Sequence, residues 1–146
     1  MKKKIIIGSD HGGYDLKEIL IKHLEEASYE VEDAGCFNGE SVHYPEIAKV
    51  VASQISGGSF QQGILVCGTG IGMSIAANRF NGVRATLCHD HFTARMSREH
   101  NNSNILVLGG RVTGDEVARD ILEVWLNTDF QGGRHSTRIG MFDGLT

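Results

Sequence analysis

Cys67 ends an apolar run, Gly63-Ile64-Leu65-Val66-Cys67, and is followed at once by Gly68-Thr69-Gly70-Ile71-Gly72 and an alanine-bearing segment that runs to Asn78. A strand that hands a thiol to a glycine loop opening a helix places a potential base beside backbone N–H groups able to hold an anion. Other chemistry-bearing residues stand where further apolar runs end: Ser9-Asp10-His11-Gly12-Gly13, Cys88-His89-Asp90-His91 and Gly109-Gly110-Arg111. In open parallel sheets, ligands sit outside the carboxyl ends of the strands, so these segments are expected on one rim.

The loop after Cys67 fits two familiar phosphate devices poorly. Gly68, Gly70 and Gly72 lack the spacing of a dinucleotide fingerprint, follow the third strand rather than the first, and carry no Gly-Lys-Ser/Thr. A Cys-x5-Arg phosphatase loop would need arginine at position 73, which is Met73. With no cation inside it, the nest suits the oxygen of a developing enediolate better than phosphate chemistry. The helix dipole would favour the thiolate, a base able to take a proton from carbon.

The elements that must position these groups follow from hydrophobic patterning. Ile5 to Ile7, Tyr29 to Val31, Ile64 to Cys67, Val83 to Leu87 and Ile105 to Leu108 read as strands, most of them continuous enough to be buried on both faces. Between them, Leu16, Ile19, Leu20 and Leu24 keep helical spacing. Pro45 opens a second helix lined by Ile47, Val50, Val51 and Ile55 and closed by Gly57-Gly58. Met73 to Phe80, Phe92 to Glu99, and Thr113 to Leu126 supply three more, the last with Val117, Ile121, Leu122 and Trp125 as its buried stripe. Strict alternation predicts a three-layer, doubly wound (Rossmann-like) α/β domain: a five-stranded parallel sheet with helices on both faces. The whole chain, 1–146, is read as one domain. Beyond Asn127 the pattern stops, and a tail of residues 128–146 with its own cations is expected to reach a neighbouring subunit.

Bulk properties narrow the partners. The 146 residues are 40% hydrophobic and 22% charged, with a formal charge of −4, so there is no sequence-wide basic field for nucleic acid. The run after Lys2-Lys3-Lys4 breaks at Gly8-Ser9-Asp10, too short for a signal peptide or membrane span, and the expected compartment is the cytoplasm. Cys36, Cys67 and Cys88 are far apart and form neither a disulfide framework nor a metal-ligand array. Cys36 and Cys88 are expected to be small buried hydrophobes. His89 and His91 around Asp90 are read as a helix cap and surface residues, and no metal site is expected.

Taken together, Gly8-Ser9-Asp10-His11-Gly12-Gly13, the stretch from Cys67 to Asn78, Ser97-Arg98-Glu99-His100-Asn101-Asn102, Gly109-Gly110-Arg111-Val112 and Gly132-Gly133-Arg134-His135 are distinctive. The chain resembles, over nearly its whole length, the B-type ribose-5-phosphate isomerase family, which also contains isomerases of six-carbon sugar phosphates. That resemblance implies a cofactor-free aldose–ketose isomerisation. By it, Cys67 shuttles the proton between C1 and C2, and His100 opens the furanose ring. Thr69 and the N–H groups of Gly68, Gly70, Ile71 and Gly72 hold the enediolate. Asp10 and His11 contact hydroxyls and aid ring opening, Asn101 assists binding, and Arg111, Arg134 and Arg138 take the phosphate. A branch of the family uses a glutamate at position 73 in place of the cysteine; Met73 leaves the role with Cys67. His43 stands where the family commonly has an acid.

Topology adds a consequence. If Cys67 ends the third strand and His100 precedes the fifth, they lie on opposite rims, separated by five strand residues or ~16 Å. One small sugar cannot touch both, so His100 is expected to serve the Cys67 of a second subunit, in an isologous homodimer or a dimer of dimers. Two alternatives stay open: the same chemistry on allose or galactose 6-phosphate, and a catalytically silent phosphosugar-binding module.

Overall fold

A computed structural model describes residues 1–145. Five parallel strands, β1 (Lys4–Ser9), β2 (Glu30–Asp33), β3 (Gly63–Cys67), β4 (Ala85–Leu87) and β5 (Ile105–Gly109), lie in the order β2-β1-β3-β5-β4. Burial accounts for the edges. β3 and β5 are buried at every position, whereas β2 alternates exposed and half-buried residues and β4 is three residues long and partly open. Short or polar strands are tolerated where backbone faces solvent on one side.

Helices α1 (Tyr14–Glu26), α2 (Tyr44–Ser56), α3 (Ile71–Ala77), α4 (His91–Glu99), α5 (Asp115–Asn127) and α6 (Arg134–Asp143) surround the sheet. Alternate strand residues feed two cores. Ile5, Ile7, Ile64, Val66, Leu106 and Leu108 meet α1, α4 and α5 around Trp125. Ile6, Leu65, Cys67, Ile105 and Val107 meet α2 and α3 around Val51 and Met73. The expected three layers are therefore present.

Three details differ from the sequence reading, and a fourth was not anticipated by it. The segment after Asn127 is not bare tail: α6 forms there and buries His135 and Ile139. In α5 the buried stripe runs through Ala118, and Val117 is 48% exposed. In α2, Ala48 and Ala52 face the sheet in place of Val50, which is 44% exposed. Small residues go inward where a helix lies close to the sheet, so hydrophobicity alone misplaces the stripe. Finally, Lys17 on α1 is fully buried, its ammonium 2.7 Å from both carboxylate oxygens of Asp33. The rings of Tyr14 and Phe37 lie 5.4 and 5.8 Å from that ammonium.

That ion pair also shapes the chain leaving β2, because Asp33 Oδ1 accepts the Gly35 N–H at 2.9 Å. No helix among the described residues is long and apolar enough to cross a membrane. Lys17 is buried and Asp33 only partly so, with Glu18 Oε1 a second acid 3.4 Å from the ammonium. Asp33→Ala is expected to cost about 3 kcal/mol in urea denaturation, and Lys17→Met less, because the charge it leaves unpaired is the partly exposed carboxylate rather than the buried ammonium.

Candidate active site

Strand order reverses between β1 and β3, and the crevice at their carboxyl ends holds Asp10 and Cys67. Asp10 N–H donates to Val66 O at 3.2 Å, tying the two strand ends together. The Asp10 side chain is 7% exposed and accepts the Gly13 N–H at 3.1 Å, capping a 3-10 turn (His11–Gly13). Its capping and its place in the crevice are compatible, since one carboxylate oxygen is left over. His11 is exposed, and its Nδ1 accepts the Val42 N–H at 3.3 Å.

Three loops converge around the thiol. A Cβ on Gly12 would lie 3.1 Å from Gly68 N, and one on Gly110 would lie 2.7 Å from Gly12 O, so the β1, β3 and β5 loops touch through their backbones. Gly70 has φ 80°, in the left-handed region, and a Cβ there would stand 2.5 Å from Leu87 Cδ1. Only glycine meets both demands. This turn aims the Gly70 N–H at Cys67 Sγ, 3.1 Å away. The Ile71 N–H in turn donates to Thr69 Oγ1 at 3.2 Å. The nest thus first serves sulfur and hydroxyl, and an N–H pointed at sulfur stabilises negative charge there. The exposed Arg111 donates its N–H to Gly68 O at 2.9 Å, and its guanidinium flanks Gly68. A cation therefore stands beside the loop that lacks one in sequence.

The remaining expected site residues lie elsewhere. β3 pairs with β5 from Gly63↔Ile105 to Cys67↔Gly109, and His100 caps the carboxyl end of α4, five residues before Ile105. His100 and Asn101 therefore sit on the rim opposite Cys67. Four steps of about 3.3 Å separate the ends of β3 by about 13 Å. α6 joins the His100 side: Gln131 N–H donates to Glu99 O at 3.1 Å, and the His135 ring stacks on His100 with centroids 4.2 Å apart. Exposed Arg134 and Arg138 project from α6 on this same rim.

A mount of arginines holds the His100 loop. Arg98 donates to Asn102 Oδ1, to Ser103 O and to Thr128 O, and Arg84 Nε donates to Asn102 O at 2.9 Å. Trp125 Nε1 fastens Ser103 Oγ from below at 3.0 Å. A surface cleft of about 620 Å³ opens alongside, with Arg79, Arg84, Asn101, Phe142 and Asp143 in its walls. Sequence reasoning gave no role to His135, Arg84 or Arg98. Arg98 and His135 stand in motifs already singled out, whereas Arg84 lies in none and carried no signal. Asp90 caps α4 through Thr93 and His91 lies 3.3 Å from Asp120, in keeping with a cap and a surface residue. Among the described residues, no group of three or more His, Cys, Asp or Glu side chains is placed to hold a metal ion.

The expected site residues thus fall into two groups: Asp10, His11, Cys67, Gly68, Thr69, Gly70, Ile71, Gly72 and Arg111 on one rim, and His100, Asn101, Arg134 and Arg138 on the other. A family model described as Ribose/Galactose Isomerase matches residues 5–142. The chain belongs to this family. It is 46% identical over 137 residues to ribose-5-phosphate isomerase B of Escherichia coli, covering 94% of this chain and 92% of that protein. D-erythrulose-4-phosphate isomerase of Pectobacterium atrosepticum is 41% identical over 136 residues, covering 92% and 90%. The structure of ribose-5-phosphate isomerase B from Clostridium thermocellum superposes with a TM-score of 0.95 at 51% identity, over 96% of this chain and 95% of that one. Doubly wound topology, the six helices and the strand-end loops are accordingly features of the family fold.

His135 has an acid–base consequence of its own. Burial, followed by the nearby cations of His100, Arg134 and Arg138, holds its imidazole below the usual value, against a smaller opposing pull from Glu99. The unfolded chain then binds this proton more readily than the folded one. Its contribution to stability is complete above about pH 6.5 and is lost as pH falls through the lowered folded value. Urea midpoints between pH 7 and 5 should fall more steeply for the wild-type chain than for His135→Phe. Parallel slopes would contradict this.

Proposed function

We propose that the chain is a cofactor-free aldose–ketose isomerase that interconverts ribose 5-phosphate and ribulose 5-phosphate through an enediolate. The observation that carries it is Cys67 Sγ, placed in the β1/β3 crevice with the Gly70 N–H 3.1 Å away. In the open-chain aldose, Cys67 takes the C2 proton while the electron pair moves onto the C1 carbonyl oxygen. The O2 proton passes to O1, and return of the carbon-bound proton to C1 as the C2 carbonyl forms yields the ketose. Thr69 and the backbone N–H groups of Gly68 to Gly72 stabilise the enediolate oxygens, each good donor being worth ~3 kcal/mol in favourable acyl-transfer cases.

Ring opening falls to His100 acting as general acid, with Asp10 and His11 holding hydroxyls and Asn101 assisting. Because His100 and Cys67 lie on opposite rims, each site is assembled in a homodimer, or a dimer of dimers, from the Cys67 rim of one subunit and the His100 rim of another. α6 then brings Arg134 and Arg138 across to join Arg111 around the phosphate, the planar forks of arginine matching its oxygens. This accounts for a terminal helix whose exposed face is cationic in a chain of net charge −4. A silent binding module would have no use for a thiol in the crevice.

Six-carbon sugar phosphates are the nearest alternative, and the family description names galactose beside ribose. The specificity constant is expected to be higher for ribose 5-phosphate than for allose 6-phosphate; the reverse order would move the substrate to six carbons. The base has a sharper test. Cys67→Ala should slow solvent exchange of the transferred proton by about 10³-fold while sugar phosphate still binds in calorimetry, since base and phosphate contacts are different residues. Unchanged exchange in that variant would sink the assignment.

A further inference from the structure

His135 has no part in the scheme above, yet it is 6% exposed and its Nε2 is buried without a hydrogen-bond partner among the described residues. A buried, unpaired ring nitrogen is costly, so its presence calls for a reason. Its ring lies nearly parallel to that of His100, 13° between planes and 4.2 Å between centroids. The groups facing the pair are Glu99 on α4 and Arg134 and Arg138 on α6. A second proton on the stack would sit against one imidazolium and two guanidinium groups, and at Nε2 it would find no acceptor. Glu99 is drawn away as well, its Oε2 accepting from Gln131 Nε2 at 3.1 Å.

We propose that His135 is a positioning residue for His100: its neutral ring fixes the plane of His100 by stacking and leaves the pair room for a single proton, carried on His100. The inference rests on the ring-opening role given to His100. Burial and the surrounding cations, which hold His135 below the usual imidazole value, support it from a separate direction. Mounting the acid on a flat, uncharged partner keeps its proton aimed in the face of two phosphate-binding arginines, a problem created by putting ring opening and phosphate binding on one rim.

Ribulose 5-phosphate separates ring opening from proton transfer, because with O5 esterified this ketose has no hydroxyl left to close a furanose on C2. Exchange of its C1 proton with solvent deuterium therefore needs Cys67 and not the ring-opening acid. His135→Ala is expected to lower kcat/KM for ribose 5-phosphate by about 10- to 100-fold and to leave C1 exchange of ribulose 5-phosphate within about twofold. His135→Phe, which keeps a stacked ring with no titrating nitrogen, should recover most of the lost activity. In the wild-type chain, imidazole 15N shifts should show His100 gaining its proton while His135 stays neutral. Equal loss with both substrates, no rescue by Phe, or protonation of His135 ahead of His100 would overturn the proposal. A His100→Ala variant keeps the two levels apart: if it spares ribose 5-phosphate turnover, the ring-opening role itself falls, and with it the need for a positioning residue.

Discussion

A parallel strand delivers its two ends to opposite rims of a sheet, and β3 and β5 run side by side in register from Gly63↔Ile105 to Cys67↔Gly109. Cys67 is the last residue of one, and His100 belongs to the turn that enters the other. No loop movement on the scale of a side chain brings them to the same sugar. The rigidity of the central pair, buried at every position, makes this separation a fixed property of the chain. On the proposed mechanism, which uses both residues on one sugar, the site is completed by a second copy.

Each rim is stiffened by a different means. On the Cys67 rim, backbones touch backbones: an added Cβ at Gly12, Gly70 or Gly110 would crowd the neighbouring loop or strand, so the three loops lie close together. The ion pair of buried Lys17 with Asp33 holds the neighbouring β2 exit in place. On the His100 rim, side chains do the work, with Arg84, Arg98 and Trp125 gripping the turn at Asn102 and Ser103. A backbone nest suits a developing oxyanion, which needs donors that do not reorganise. A side-chain mount suits an acid whose ring must be aimed.

The buried strands were legible because continuous apolar runs leave few alternatives, and Cys67 with its glycine loop announced a site at the β3 end. The separation of His100 from Cys67 followed from strand direction alone. Other features are written in contacts rather than in pattern. β5 lies inside β4 because it can be buried along its full length and the three-residue β4 cannot. α6 was invisible because its inward face holds only His135 and Ile139, one of them polar, among glycines and cations. Lys17 interrupts no hydrophobic period and looks like a surface residue until Asp33, sixteen positions away, is brought onto it. His135 was named in a motif but gained a reason only from the ring stacked against it.

The central claim is that one site draws on two subunits, and complementation tests it most directly. Cys67→Ala and His100→Ala, each inactive alone toward ribose 5-phosphate, would be mixed in equal amounts, denatured and refolded together. Random pairing makes half the dimers mixed, each with one intact site of two, so about a quarter of wild-type activity should return. Recovery of none, with mixed dimers shown to have formed, would contradict the account.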